Sequence, residues 1–245
     1  MNIPIITDLS SFNPQKINLQ KLSNTYVNVD IYAIKYKENN LVVELPSFKL
    51  TKYGIPLSGH LLTHPGIMKC IKVPIDPTQA SCCGIKELID KIENKVKTTI
   101  TIPKNNYTFM PIINKDYWIP KFLYDKTNHT LETPIYIVEN GIPKIKNIAK
   151  ISDLNKYIGK NPNIRMIVSF YVWVSTNKTF GMTVKIMQME ITPGVPELFW
   201  SKIFSQYAFT KKNINQPKNV ESIVDKKITE NDLYDDDDDD DGEGS

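Results

Sequence analysis

Hydrophobic and polar positions alternate most cleanly between Ile164 and Ile191, where two period-2 runs meet at Ser175-Thr176-Asn177-Lys178. Both runs are rich in β-branched and aromatic residues, so the stretch predicts a long β-hairpin. On its first strand Ile164, Met166, Val168, Phe170, Val172 and Val174 form an unbroken apolar face, the expected core side. The opposite face carries Arg165, Ile167, Ser169, Tyr171, Trp173 and Ser175. On the returning strand Phe180, Met182, Val184 and Ile186 fit the core, and Thr179, Gly181, Thr183 and Lys185 fit the outer side. Aromatic rings and a cation on an outward sheet face suit the stacking of unpaired bases and the neutralisation of their phosphates. The alternative is that another element of the same domain covers Tyr171 and Trp173.

The remaining pattern predicts further strands and one principal helix. Residues up to Leu22 read as an extended lead-in. Tyr26 to Tyr36 alternates as a strand with a tyrosine-bearing face, and Leu41 to Leu45 follows as a second, antiparallel strand. Ser47 to Pro56 interleaves lysines and aromatics in a loop, either a reach toward a phosphate backbone or an ordinary solvated turn. Ile67 to Ile75 reads as a strand with Lys69 and Lys72 at its exposed edge. Asp76 and Pro77 suit the cap and first position of a helix whose stripe is Ile85, Leu88, Ile89, Ile92 and Val96, with Gly84 interrupting its first part. From Thr98 to Phe122, Tyr107, Phe109, Tyr117, Trp118 and Phe122 lie among lysines and prolines, which suggests a flexible surface arm; otherwise the aromatics tuck irregular loops onto the core. Thr133 to Ile148 reads as a hairpin turning at Glu139-Asn140-Gly141-Ile142. Ser152 to Ile158 and a segment within Pro193 to Lys212 read as short helices.

Seven to nine antiparallel strands without regular βα alternation argue against a doubly wound sheet. The expected class is mainly β (α+β): an OB-fold-like antiparallel barrel with one main helix and insertions, with other β-rich α+β folds left open. Its expected bounds are a lead-in over 1–22, a nucleic-acid-binding domain over 23–212 and a disordered acidic tail over 213–245.

Charge sharpens this picture. The net charge of +3 averages two unlike regions. From Glu221 onward twelve acids meet two lysines, a net −10, which leaves +13 on the body. A basic body favours a polyanionic partner held by counterion release. Arg165 is the sole arginine, so bidentate reading of guanine edges is nearly absent and backbone tracking by lysine is favoured. The candidate binding residues are Lys52, Tyr53, Lys69, Lys72, Trp118, Arg165, Tyr171, Trp173, Lys178, Phe180 and Lys185. The tail, with Tyr234 before Asp235, Asp236, Asp237, Asp238, Asp239, Asp240 and Asp241, is expected to be extended by self-repulsion. Such a run either solubilises the chain or competes with nucleic acid for the body and, once displaced, docks basic partners.

Cys70, Cys82 and Cys83 form no secreted disulfide framework, and neither a leader nor a membrane anchor is read, so an intracellular, non-secreted protein is expected. A zinc site from His60 and His64 with those cysteines lacks paired ligand spacing. With no phosphate-cradling glycine loop, nucleophile elbow or His-Glu-x-x-His, no enzyme, metal or cofactor is expected.

Ile164-Arg165-Met166, Trp173-Val174, Lys178 to Lys185, Lys49-Leu50-Thr51-Lys52-Tyr53-Gly54 and the aspartate run together resemble the single-stranded-DNA-binding proteins of large DNA viruses of eukaryotes, a group similar to the T7-type phage proteins. The resemblance implies an oligonucleotide-binding barrel, unpaired DNA as ligand in replication, repair and recombination, replication proteins docked by the tail, and residence in the host cytoplasm or nucleus. It leaves self-association open. The phage tails end in an aromatic residue, whereas this chain ends Gly244-Ser245, so Tyr234 would have to substitute. The competing expectation is a viral transcription or assembly factor that binds protein or duplex and carries a nucleic-acid-mimicking tail.

Overall fold

The structure, a computed structural model, describes residues 4–23, 28–52, 54, 69–102, 106–125, 127–128, 130–148, 150–158 and 161–194. The chain divides into a body, residues 1–205, and a second unit, residues 206–245. The second unit lies outside the described residues, together with Tyr234, the aspartate run and the helix expected within Pro193 to Lys212 beyond residue 194.

In chain order the elements are β1 (Ile17–Lys21), β2 (Val29–Tyr36), β3 (Asn39–Asn40), β4 (Val42–Glu44), β5 (Phe48–Lys49), β6 (Val73–Pro74), α1 (Ala80–Thr99), β7 (Thr108–Met110), β8 (Tyr117–Trp118) and β9 (Lys121–Phe122). They continue with β10 (Tyr124–Asp125), β11 (Thr130–Leu131), β12 (Ile135–Glu139), β13 (Ile142–Lys146), α2 (Asn155–Ile158), β14 (Asn163–Ser175) and β15 (Thr179–Thr192). The expected hairpin is the antiparallel pair β14 and β15, the spine of the main sheet. Every predicted core residue of β14 is buried, because alternate side chains of a strand point to one face. One irregularity breaks the period on β15: Ile167 pairs with Gln188 and Val168 with Ile186, so Met187 is a bulge residue. The bulge shifts the inward parity, burying Met189 and Ile191 after Phe180, Met182, Val184 and Ile186.

Shorter strands attach along both edges of this spine. On the β14 side, β2 pairs with its C-terminal half, β4 with its middle and β5 with its start. The second strand of the predicted 26–45 pair is thereby corrected: β3 pairs with β2, but β4 crosses to β14. On the β15 side β7, β9 and β12 pair in parallel, so the sheet is mixed rather than wholly antiparallel. The expectation of a mainly β body with one main helix holds. β1 pairs with β2 over its whole length, and Phe12 and Ile17 enter the core.

Helix α1 buries Ile85, Leu88, Ile89, Ile92 and Val96 on one stripe, which packs beside β1. Each such aliphatic side chain contributes about 1.5–3 kcal/mol when fully buried. The helix begins one turn later than expected, with Gln79 at the cap. Asp76 instead accepts from the backbone N–H and hydroxyl of Thr78, a local turn that competes with helix capping. Gly84 sits within the helix without interrupting it. At the β12–β13 turn Asn140 and Gly141 have φ of 53° and 77°, the left-handed pair that a two-residue hairpin needs.

The segment expected as a flexible arm is stitched into the fold. β7 and β9 pair with β15, and Trp118 and Phe122 are buried. Apolar aromatics outweigh the prolines here, because paired strands on either side satisfy the backbone around them. The buried Glu93 carboxylate of α1 also accepts from the Ile112 backbone N–H at 2.6 Å, fastening the segment to the helix.

Candidate nucleic-acid interface

The outer face of the sheet forms an open groove of about 770 Å³. Its floor comes from three adjacent strands, because the registers Tyr171 with Ala33 and Thr183, and Trp173 with Ile31 and Gly181, bring those positions side by side. Val29, Ile31, Tyr171, Trp173, Thr179, Thr183 and Lys185 line it from below. Lys69, Lys121 and Tyr124 stand along its wall, where β9 is held by parallel pairing to β15. Among the described lining residues three lysines face one acid, Glu132, so this part of the groove is cationic.

Lysines and rings are coupled within this groove. The Lys185 ammonium lies 4.9 Å from the Tyr171 ring centroid, and that of Lys69 lies 4.2 Å from the Tyr124 centroid. Each cation is held against an aromatic face and adds to the attraction for an anion beside a stacked ring. Tyr171 and Trp173 are half-buried, neither sealed nor fully solvated. The indole of Trp173 is seated against Gly181 and so presents a fixed surface.

The structure thus brings Lys69, Tyr171, Trp173 and Lys185 together. Lys178 lies in the β14–β15 turn, exposed and with φ of 57°, just before the groove residue Thr179. The others lie elsewhere. Trp118 is completely buried and Phe180 is nearly so, packed edge-to-face on Phe109 at 5.0 Å; both are corrections, since a core ring offers no face to a base. Arg165 is the third correction: its guanidinium lies 2.9 Å from a Glu190 oxygen and 3.4 Å from a Glu44 oxygen. Two carboxylates around one cation leave no net positive charge for a phosphate. Lys52 pairs with Asp116 at 2.8 Å and Lys72 lies 3.7 Å from the Tyr117 centroid, and neither lines the groove. Tyr53 lies outside the described residues.

Lys121 and Tyr124 were not among the expected binders. Their signal was the Lys121-Phe122 alternation, which turns Phe122 inward and leaves Lys121 facing out. Nothing local tells that β9 lies beside Lys185.

Among the described residues no cluster of three or more His, Cys, Asp or Glu could hold a metal ion; His60 and His64 lie outside them. Burial pushes the Cys70 thiol up to about 11, so it carries little thiolate near neutral pH. No helix of the described residues is long and apolar enough to cross a membrane.

No protein-family model matches the chain, and no curated protein matches it. Among solved structures it is similar to gp2.5, a single-stranded DNA binding protein encoded by bacteriophage T7. The TM-score is 0.38 and the identity 11%, over 70% of this chain and 98% of that one. What the groove can do follows from its own side chains.

Proposed function

We propose that the protein is a non-enzymatic binder of single-stranded DNA. Bases stack on Tyr171 and Trp173, while Lys69, Lys121 and Lys185 neutralise the passing phosphates. The observation that carries this reading is the convergence of half-exposed rings and ring-held lysines in one open groove. Rings of this kind need free base faces, which a duplex hides within its stack. The lone arginine is committed to carboxylates, which further disfavours reading of duplex edges.

On the same proposal the protein serves replication, repair and recombination, as a member of the viral group that its hairpin and aspartate run resemble. The tail of opposite charge competes for the groove and docks replication proteins when displaced. The test is the anisotropy of a labelled oligothymidylate and of a duplex of equal length, each titrated at two salt concentrations. Single strands are expected to bind at least about tenfold tighter, with a log–log salt slope near −0.7 for each lysine engaged. Equal or tighter duplex binding would refute the proposal. Removal of residues 221–245 is expected to tighten binding at low salt, and an unchanged affinity would remove the tail from the groove.

A further inference from the structure

The groove continues past Trp173 into a second space. Along the edge of β15 away from β14, β7 pairs only as far as Gly181, and β9 begins at Lys185. No described strand pairs with Met182, Thr183 and Val184 on that edge. Beside it is a hollow of about 250 Å³ lined by Ile112, Asn114, Ile119, Lys121, Trp173 and Thr183. Lys121, Trp173 and Thr183 also line the groove, so these residues mark the boundary between the two spaces.

The chemistry of this hollow is divided. Ile112 and Ile119 supply apolar walls, Trp173 an aromatic one, and Lys121 a cation shared with the groove. The Thr183 hydroxyl oxygen is buried and makes no hydrogen bond among the described residues. A hydroxyl held from water without a partner is unfavourable, and a ligand atom that bonds it removes that cost. A phosphate would leave the apolar walls unused, and an alkyl chain would leave the hydroxyl unpaired. A planar heterocycle with a polar edge satisfies both.

We infer that the hollow takes one nucleobase, turned out of the strand that lies along the groove. On binding, rotation about the Thr183 Cα–Cβ bond brings the buried hydroxyl to the polar edge of that base, Trp173 bounds it, and Lys121 meets the phosphate of the same nucleotide. This inference rests on the proposed single-strand binding of the groove. It adds that affinity depends on the base, not only on charge, at a site where no described strand closes the sheet.

The experiment titrates a labelled oligothymidylate and a fully abasic oligomer of equal length with wild type, Thr183→Val and Ile119→Trp, with folding checked by circular dichroism. Thr183→Val keeps the shape and removes the hydroxyl. Ile119→Trp fills the hollow from a position that is 40% exposed, so it does not burden the core. Thr183→Val is expected to weaken oligothymidylate binding about fivefold, the scale of one hydrogen bond, and Ile119→Trp about tenfold or more, with abasic binding unchanged. Oligothymidylate binding that is unchanged or tightened in both variants overturns the inference, as does an equal loss for both oligomers, while the groove reading stands. A wild type that prefers duplex overturns both.

Discussion

The indole of Trp173 lies against Gly181, its cross-strand partner, and no methyl group fits at that glycine. A Cβ there would stand 2.9 Å from Cζ2 of the ring and 2.6 Å from the Met110 carbonyl oxygen. The glycine is required by space, since it both seats the ring and lets β7 approach β15. Gly181→Ala is therefore expected to cost about 1–3 kcal/mol of stability, the usual scale of overpacking. It should also lower single-strand affinity by displacing the indole. Denaturant unfolding and an oligonucleotide titration of the same variant check both; an unchanged unfolding midpoint would show that the ring and β7 yield freely.

The two aromatic candidates Trp118 and Trp173 should behave in opposite ways. Trp118→Ala empties a fully buried site and is expected to destabilise by about 3–5 kcal/mol. Trp173→Ala removes a stacking surface worth about 1–3 kcal/mol per base, so binding should weaken about tenfold or more with the fold retained. Thermal melts beside DNA titrations separate the two. Unfolding of Trp173→Ala would assign that ring to the core.

Lysine substitutions should change the salt dependence more than the fold. Lys121→Gln and Lys185→Gln are each expected to reduce the log–log salt slope for single strands by about 0.7, the value of one released counterion. Affinities measured across a salt series give the slope. A slope unmoved by both substitutions would take phosphate contacts away from these two lysines of the groove.

Arg165 should act on stability and not on DNA. Arg165→Ala leaves Glu44 and Glu190 without their shared cation, and at a site 48% exposed this is expected to cost at most about 1 kcal/mol. Single-strand affinity should change less than twofold. A large loss of affinity at low salt would return Arg165 to the interface.

Glu93 introduces a pH dependence. Burial raises its carboxyl above the ordinary value of 4.5, against the lowering effects of the Ile112 N–H and of Lys97. The folded state therefore binds this proton more tightly than the unfolded state, so its contribution to stability falls as pH rises from 4.5 through the folded value. The unfolding free energy of wild type minus that of Glu93→Gln should decline as pH rises above about 4.5. A difference that is flat or rises with pH would contradict the buried carboxylate.

The hairpin was legible because its chemistry is local. Alternation over Ile164 to Val174 fixes which side chains face inward, and Asn140-Gly141 fixes a turn, whatever else the chain does. The sequence even holds the trace of the bulge, since apolar positions pass from Ile186 to Met189 out of step with the even-numbered run. The site was legible only in part. Trp118 and Trp173 are the same residue type among similar neighbours, yet one is sealed and the other is half-exposed, because burial depends on which strand arrives on the far side. The pairing of Arg165 with Glu44 and the placing of Lys121 beside Lys185 join residues far apart in the chain. The sequence by itself determined the basic body, the central hairpin and the strand face that carries Tyr171 and Trp173, which follow from side-chain type and period. Tertiary structure alone decided which rings stay half-exposed and which lysines line the groove beside them, because parallel pairing and long-range ion pairs leave no periodic signal in the chain.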